Sequence, residues 1–242
     1  YTGRFDWNIN EDHRLSATYR YAYSGVIQRT NLSSTSAGLD SQWYLTGEND
    51  TAYVLELNDQ WTDRFSTKFK GSKRYYTREQ EPPGGQNFSD IRVCSTATNL
   101  DAAGQTNPSL SCRNGTTSVG LVRFGPDQFR HANTLATKNT SASLTGTYTL
   151  GDHVIKAGAQ LKKIDINNLF VFQSDGIYYF DSVADFAAGK VGQFSYNNAI
   201  TGNPADAAAV LTYNLNTLFL QDSWDITPDL TVNAGLRYDF YT

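Results

Sequence analysis

The stretch that decides the fold is residues 230–239, Leu-Thr-Val-Asn-Ala-Gly-Leu-Arg-Tyr-Asp. Every second side chain in it is apolar, and the side chains between them are polar or glycine. A period of two predicts a β-strand with one apolar and one polar face. The length of about ten residues also matches a tilted strand that crosses a bilayer, which needs roughly 9–11 residues. The apolar set is Leu230, Val232, Ala234, Leu236 and Tyr238.

The same alternation recurs along the whole chain and predicts about eight strands. Asp59 interrupts the apolar parity of one strand, and residues 212–224 are strand-like with a less regular parity. Helical periodicity is almost absent, so the fold class is all-β. The clearest further alternating stretches are 4–9, 14–23, 53–61, 65–72, 142–150 and 155–162.

The connections between strands alternate between short and long. Short turns at 10–13, 62–64, 151–152 and 226–229 define hairpins at about 2–23, 51–76, 137–163 and 212–240. The long polar connections are about 24–50, 77–136 and 167–211, with a short capped helix expected at 182–189 and another at 203–210. Loops this long are uncommon in compact soluble domains. Short turns at one end and long loops at the other are typical of outer-membrane barrels, with the turns periplasmic and the loops extracellular.

Composition excludes several classes of protein. The 242 residues are 39% hydrophobic and 18% charged, and no run approaches the roughly 18 apolar residues that a membrane-spanning helix needs. The aromatic content of 13% argues against disorder. A net charge of -4 argues against a nucleic-acid partner. The three histidines are scattered, and no catalytic, nucleotide or metal-binding motif is present, so we expect neither an enzyme nor a bound cofactor or metal.

The C-terminal hairpin carries a resemblance to a known family. Residues 218–239 contain Gln221-Asp222-Ser223-Trp224, a turn with Pro228, and the run Gly235-Leu236-Arg237-Tyr238-Asp239. This hairpin resembles those of TonB-dependent outer-membrane receptors, and the stretches 123–130 and 148–153 resemble the Oar-like branch. The resemblance implies an antiparallel transmembrane β-barrel of about 22 strands. It also implies a bacterial outer-membrane location and energised transport of a bulky, unidentified extracellular ligand.

The resemblance also implies partners that this sequence does not contain. We find no plug domain and no TonB-contacting segment, and the chain has no Met and no signal peptide at its start. We therefore expect a segment of the barrel, surrounded by outer-membrane lipid, the remaining strands and the plug of the parent protein. A TonB-type energy-transducing protein would act through that parent.

Each parity has a predicted environment. The apolar parity should face lipid, because a barrel in a membrane has no other apolar surroundings to offer it. The opposite parity should face the lumen, where basic side chains would either attract anionic ligands or form ion pairs with the plug or with neighbouring strands. The predicted aromatic girdle is Trp7, Tyr19, Tyr21, Tyr23, Trp61, Trp224 and Tyr238, and the lumen-facing basic set is Lys68, Lys70, Arg74, Lys156, Lys162 and Arg237.

Two alternatives come from other functional classes. One is a small, complete eight-stranded outer-membrane barrel with an adhesin or structural role, since eight strands can close. The other is a soluble all-β carbohydrate-binding module with long loops. A closed small barrel would pair its first strand with its last, whereas a receptor segment would leave both edges open.

Cys94 and Cys112 are the only cysteines, and they lie in the same long polar connection. An isolated pair of this kind predicts a disulfide in an oxidising compartment. The bridge would stabilise the loop by about 3 kcal/mol through loop closure. Mass spectrometry of the unreduced protein should find the two half-cystines joined, and two alkylatable thiols would contradict the prediction.

Overall fold

The structure is a computed structural model, and it describes residues 1–95 and 120–242. Within these ranges, no helix is long and apolar enough to cross a membrane. The described helices are α1 (Val183–Ala187) and two 3₁₀ turns, at Asp40–Gln42 and Pro204–Ala207. The strands are β1 (Thr2–Asn8), β2 (His13–Gln28), β3 (Leu32–Ser33), β4 (Ser36–Gly38), β5 (Tyr44–Thr62), β6 (Phe65–Glu81), β7 (Asp90–Cys94), β8 (Leu121–Phe124), β9 (Ala132–Leu150), β10 (His153–Val171), β11 (Ile177–Phe180), β12 (Gln193–Ser195), β13 (Ala209–Thr227) and β14 (Leu230–Tyr241).

Eight long strands form the main sheet. Their order is β1-β2-β5-β6-β9-β10-β13-β14, and every neighbouring pair is antiparallel. The predicted all-β antiparallel architecture is therefore confirmed. In the described part of the chain, β1 and β14 do not pair with each other, so the sheet has two open edges.

The four short turns lie where the sequence predicts them, and their side chains explain why. The Asn10 carboxamide accepts hydrogen bonds from the backbone N–H of Asp12 (2.9 Å) and His13 (2.8 Å). The Thr62 hydroxyl does the same for Phe65 at 3.1 Å. Gly151 has φ +58°, a conformation that glycine adopts without strain. Side chains that bond to the nearby backbone stabilise tight turns.

The strands extend well beyond the predicted hairpins at the end away from the turns. β5, β9, β10 and β13 each contain 19 residues. At about 3.3 Å per residue such a strand is roughly 60 Å long, about twice the thickness of a hydrocarbon core. The strands are therefore longer than the expected membrane crossing needs, and parts of the three predicted long connections are strand.

The long connections also build a second sheet of their own. Its order is β12-β11-β7-β8-β4-β3, and it draws strands from all three connections. The pairs β11·β7 and β4·β8 are parallel, which links segments far apart in sequence. Both predicted short helices are present: α1 lies beside this sheet, and the second is the 3₁₀ turn Pro204–Ala207, which contacts β10 of the main sheet. The Ser182 hydroxyl caps α1 by accepting from the N–H of Asp185 at 3.0 Å. We call this second sheet and its helices the loop assembly.

The most buried apolar residues of the described chain lie in the second sheet, apart from Ala132 and Val171 at the ends of β9 and β10 next to it. Cys94, Tyr179 and Phe180 are buried there, and Cys94 contacts the hydroxyl of Tyr179. Cys112 lies outside the described residues, so the Cys94–Cys112 disulfide stays a prediction. Because these apolar groups are packed away from water, the described parts of the long connections form one folded structure and not a set of separate loops.

Gly125 holds two connections of the loop assembly together. Its φ is +80°, its N–H donates to the Ser41 hydroxyl at 3.0 Å, and its carbonyl accepts from the Gln42 side chain at 2.8 Å. A Cβ at this position would collide with the backbone carbonyl of Ser89. Gly85 has a similar φ of +82°, but a Cβ there would meet nothing within 4 Å.

We predict that Gly125→Ala destabilises the loop assembly more than Gly85→Ala. Both substitutions carry the cost of a positive φ, of order 1–3 kcal/mol, and only Gly125→Ala adds the collision. The measurement is the rate of limited proteolysis within the loops of the folded protein. Equal cleavage of the two variants would contradict the role assigned to Gly125.

Candidate functional site

One face of the main sheet is apolar across all eight strands. The hydrogen-bond register aligns one residue from each strand into a continuous row without a polar member. Leu144 and Leu218 are each 53% exposed in this row. A contiguous exposed apolar surface of this size marks an interaction site or a lipid contact. The row is Trp7, Leu15, Leu57, Phe69, Leu144, Ala159, Leu218 and Tyr238.

The neighbouring row, one residue away along each strand, is entirely polar and lies on the other side of the sheet. We call the side of Leu57 the apolar face and the side of Glu56 the polar face. Because side chains alternate, a register slip of one residue would exchange the two faces. The polar row is Asp6, Ser16, Glu56, Lys70, Ser143, Gln160, Thr217 and Asp239.

The apolar segment shifts along the strands from one side of the sheet to the other. It covers residues 15–23 on β2, centred on Tyr19, and residues 155–161 on β10, centred on Gly158. Following the hydrogen-bond register from β2 across β5, β6 and β9 to β10, Tyr19 aligns with Lys163. Lys163 is five residues from Gly158, so the apolar segment shifts by about five residues over four neighbouring pairs of strands. With a rise of about 3.3 Å per residue and a strand spacing of about 4.8 Å, this shift corresponds to a tilt of about 40°. Strands of outer-membrane barrels tilt by roughly 35–45°.

This tilt places most of the predicted girdle residues at two levels. Trp7, Trp61 and Trp224 fall near the turns, and Tyr23 and Tyr238 fall roughly 20–25 Å away, toward the loop assembly. Tyr19 and Tyr21 lie between the two levels. The apolar band of an outer-membrane barrel is about 25 Å tall and has aromatic residues at both edges. The girdle assignment stays a prediction, and the geometry supports it for every residue except Tyr19 and Tyr21.

Toward the loop assembly, the apolar side chains of the strands move from the apolar face of the sheet to the polar face. On β10, Leu161 belongs to the apolar face, whereas Ile164 and Ile166 lie on the polar face and Lys163 takes the outer position. On β13, Tyr213 lies on the polar face like its partner Ile164. This switch explains the irregular parity of residues 212–224. It also indicates where the lipid-facing band ends, because the outward side chains become charged or polar beyond it.

The basic residues predicted to face the lumen all lie on the polar face. Lys68 pairs with Glu56 at 2.9 Å, Arg74 with Asp50 at 2.7 Å, and Arg237 with Asp239 at 2.8 Å. Such pairs neutralise much of this face, which favours ion pairing over a uniformly basic wall. No ion pair is found for Lys70, Lys156 or Lys162 among the described residues, and Lys70 lies opposite Glu56 in the register.

The loop assembly contains a buried polar network centred on Gln42. The Gln42 side chain is fully buried, and its amide group donates to Asp90 Oδ1 at 3.1 Å and to the Gly125 carbonyl at 2.8 Å. Its carbonyl oxygen accepts from the Asn31 carboxamide at 2.6 Å, which also donates to Asp127 at 2.9 Å. A satisfied buried network specifies one arrangement of the groups it joins. The network therefore fixes the first and second connections relative to each other.

His131 is a second buried polar group of the loop assembly. Its Nδ1 accepts the backbone N–H of Asp175 at 3.2 Å, so its Nε2, 3.3 Å from the Pro126 carbonyl, carries the proton and donates. This arrangement requires the neutral ring. Burial lowers the pKa of His131, and burial also raises the pKa of the Asp175 carboxyl.

Two His–Asp pairs lie on the apolar face, and neither was predicted from the sequence. His13 Nδ1 lies 2.6 Å from Asp59 Oδ1, and His153 Nδ1 lies 2.7 Å from Asp222 Oδ2. Asp59, which interrupts the parity of its strand, is thus partnered. The signal was present as a repeat, because Asp-His opens both β2 and β10, and Asp-x-Trp closes both β5 and β13.

A comparison with family models matches residues 1–242 to the outer membrane beta barrel domain. The chain belongs to this family. Among solved structures, it is similar to the outer membrane transporter YddB from Escherichia coli, with a TM-score of 0.60 and 14% sequence identity. The match covers 99% of this chain and 26% of the transporter chain, so the chain spans about a quarter of that transporter's length. A comparison with curated proteins found no match.

Family membership confirms the predicted outer-membrane location and barrel architecture. At 14% identity, the likeness to the transporter shows the fold alone. Outer-membrane lipid is therefore the surroundings of the apolar face.

We predict that arginine is costly on the apolar face and mild on the polar face. The tilt places Ala157 near the middle of the lipid-facing band, where Arg costs roughly 2–4 kcal/mol. Ala157→Arg should lower the free energy of unfolding by that amount, and Ala234→Arg should behave alike. Thr145→Arg, on the polar face of the adjacent strand, is the matched control. Equal costs in a refolding titration into bilayers would refute the assignment of the faces.

We predict that acid loosens the loop assembly through His131. The ordinary pKa of histidine is about 6.5, and burial lowers the folded value, so the unfolded state binds more protons as the pH falls through about 6.5. Stability present at neutral pH is therefore lost on acidification, while the raised pKa of Asp175 opposes this only in stronger acid. The protection factors of the amides near His131, obtained from hydrogen exchange after correction for the intrinsic exchange rate at each pH, should fall between pH 7.5 and 5.5. In His131→Gln this fall should be much smaller, and an unchanged profile would contradict the assignment.

Proposed function

We propose that this chain is part of the barrel of a TonB-dependent outer-membrane receptor of the Oar-like branch, that it mediates energised transport of a bulky ligand, and that it is not an enzyme. The observation that carries the proposal is the likeness in fold to about a quarter of an outer-membrane transporter, together with a sheet whose described edges stay open. An open edge in lipid exposes unpaired backbone groups, which a larger barrel would cover.

The loop assembly supports a role in ligand capture. Its second sheet and the Gln42 network hold the connections in one arrangement, and a pre-organised surface loses little entropy on binding. Exposed aromatic rings lie beside it: Phe129 and Phe170 stack at 6.4 Å, and Phe172 contacts both. Flat apolar rings of this kind suit a bulky ligand with an apolar or sugar face.

The alternatives have less support. A complete eight-stranded barrel with an adhesin or structural role would pair β1 with β14, which the described strands do not do. A soluble carbohydrate-binding module would expose an eight-strand apolar row to water, at odds with the outer-membrane family.

The deciding experiment tests the energy coupling of the full-length protein. We expect it to bind the purified periplasmic domain of its cognate TonB-type protein in a pull-down, through a segment outside residues 1–242. If the folded full-length protein does not bind the TonB-type protein and has no plug in its lumen, the small-barrel alternative is favoured. A second test is the coding sequence upstream of Tyr1, where a plug domain is expected.

A further inference from the structure

We infer that Lys73, Lys138 and Lys163, which we call the lysine cluster, bind the phosphate groups of a bisphosphorylated glycolipid of the lipid A type. The three lysines lie on the lipid-facing side of the main sheet, toward the loop assembly. The long loops of outer-membrane barrels are extracellular, so this end of the sheet meets the outer leaflet. The inference rests on the outer-membrane family and does not depend on the proposed transport function.

The register brings the lysine cluster together from three neighbouring strands. Lys73 on β6 and Lys163 on β10 lie directly opposite Thr140 on β9, one on each side of it. With a strand spacing of about 4.8 Å, their backbones are about 10 Å apart. Lys138 shares the face of Thr140 and lies two residues closer to the loop assembly. All three lysines are exposed, and the side chain of Lys163 is 54% exposed.

The lysine cluster lies at the outer edge of the lipid-facing band. Lys163 is five residues from Gly158, the centre of the apolar segment on β10, and at a tilt of about 40° this separation is about 13 Å along the membrane normal. That distance is about half of a band 25 Å tall. The Lys73 backbone lies nearer the middle, and its ammonium group is 5.3 Å from the centroid of the Tyr75 ring, which lies closer to the edge. Long lysine side chains reach a membrane interface in this way.

The lysine cluster has a surplus of positive charge. In the two outward rows that contain it, the described part of the sheet has one carboxylate, that of Asp165. Asp165 Oδ1 lies 3.3 Å from Lys163 Nζ and accepts from the Thr212 hydroxyl at 2.7 Å. No ion pair is found for Lys73 or Lys138 among the described residues. A lysine ammonium is a charged donor without an acceptor, so the surplus favours an anionic partner.

Two grooves on the same face each have a lysine at the end toward the loop assembly. The first has a volume of about 720 Å³, is lined by Leu55 and Gly71, and has Lys73 in its outermost row. The second has a volume of about 370 Å³, is lined by Leu161, and has Lys163 in its outermost row. Each groove therefore places apolar surface for an acyl chain next to an ammonium group for a phosphate.

Charge and polarity together select the class of lipid. Clusters of Lys and Arg recognise anionic headgroups, and one lysine at each of two grooves suits a headgroup with two phosphates. Uncharged polar groups surround the lysines: Thr140 lies between Lys73 and Lys163, and Asn214 and Asn216 line the second groove. Hydroxyl and carboxamide groups donate and accept hydrogen bonds, which suits the hydroxyls of a sugar. A glycolipid with two phosphates on its sugar headgroup and several acyl chains combines these features.

The test uses the full-length protein in nanodiscs of phosphatidylcholine with a minor fraction of lipid A, and counts retained lipids by native mass spectrometry. We expect one lipid A molecule to be retained, and monophosphorylated lipid A to be retained about fivefold less, the contribution of about one lysine near a membrane surface. Retention should also fall as salt is raised, because salt screens exposed charges. This comparison uses the unmodified protein, so it does not depend on the folding of a variant.

The double variant Lys73→Gln/Lys163→Gln should lower retention of lipid A by about 25-fold, a factor of about five for each lysine. The matched control is Lys70→Gln/Lys162→Gln, which removes the same charge from the same two strands on the polar face. The control should keep the retention of the unmodified protein. An equal loss in both variants would show attraction by net charge alone and would overturn the inference.

The unmodified protein provides two further outcomes that would overturn the inference. One is equal retention of bisphosphorylated and monophosphorylated lipid A. The other is stronger retention of cardiolipin, which has two phosphates and four acyl chains but no sugar, since the site would then belong to a phospholipid. Thermal unfolding of both double variants checks that they are folded, and if either is not, the comparison of the three lipids on the unmodified protein decides.

Discussion

The structure depends on one constraint, which is that every backbone N–H and C=O of a sheet in hydrocarbon must find its partner within the sheet. Seven antiparallel ladders satisfy this constraint between β1 and β14. Once the ladders are fixed, the pleat leaves no freedom in where side chains point. Leu57 and Glu56 are neighbours in sequence, yet one belongs to a wholly apolar row and the other to a wholly polar row. Lipid-facing and lumen-facing chemistry are thus consequences of the same register.

At the turn end of the sheet, some neighbouring strands are not joined by a turn, and side-chain contacts link two of these pairs. Turns link β1 to β2, β5 to β6, β9 to β10 and β13 to β14, whereas β2–β5 and β10–β13 are linked covalently only through long connections at the opposite end. The two His–Asp pairs join these strands at the turn end. Polar groups on a lipid-facing surface are costly in the middle of the bilayer, and both histidines begin their strands at the turn end. The position of the two pairs follows from the bilayer as much as from the fold.

Local patterns made the main sheet predictable, and non-local pairing made the loop assembly unpredictable. The alternation in residues 230–239 and the Asn10 and Gly151 turns are short-range signals, and the structure has strands and turns where they predict them. The parallel pairing of Ile177 with Asp90 joins segments with no shared pattern. Gln42 lies in a polar stretch and carries no sign that it is buried. The predicted hairpins are also shorter than the observed ones. Beyond Leu161 the apolar side chains lie on the other face of the sheet, so the alternation that predicts a strand weakens there.

The distribution of burial follows from the two environments of the chain. In the main sheet, large apolar side chains such as Leu144 and Leu218 stay exposed because lipid, not protein, is their solvent. Outside the membrane, water is the solvent again, and the same chain must bury apolar groups to hold a structure. The loop assembly does so with Tyr179 and Phe180, and it adds the Gln42 network, in which the Gln42 amide donates twice and its carbonyl oxygen accepts once. The structure outside the membrane is therefore stabilised by its own packing and hydrogen bonds, not by the hydrogen bonds of the main sheet. Substitutions in the connections can change the outer surface without altering the register of the barrel strands.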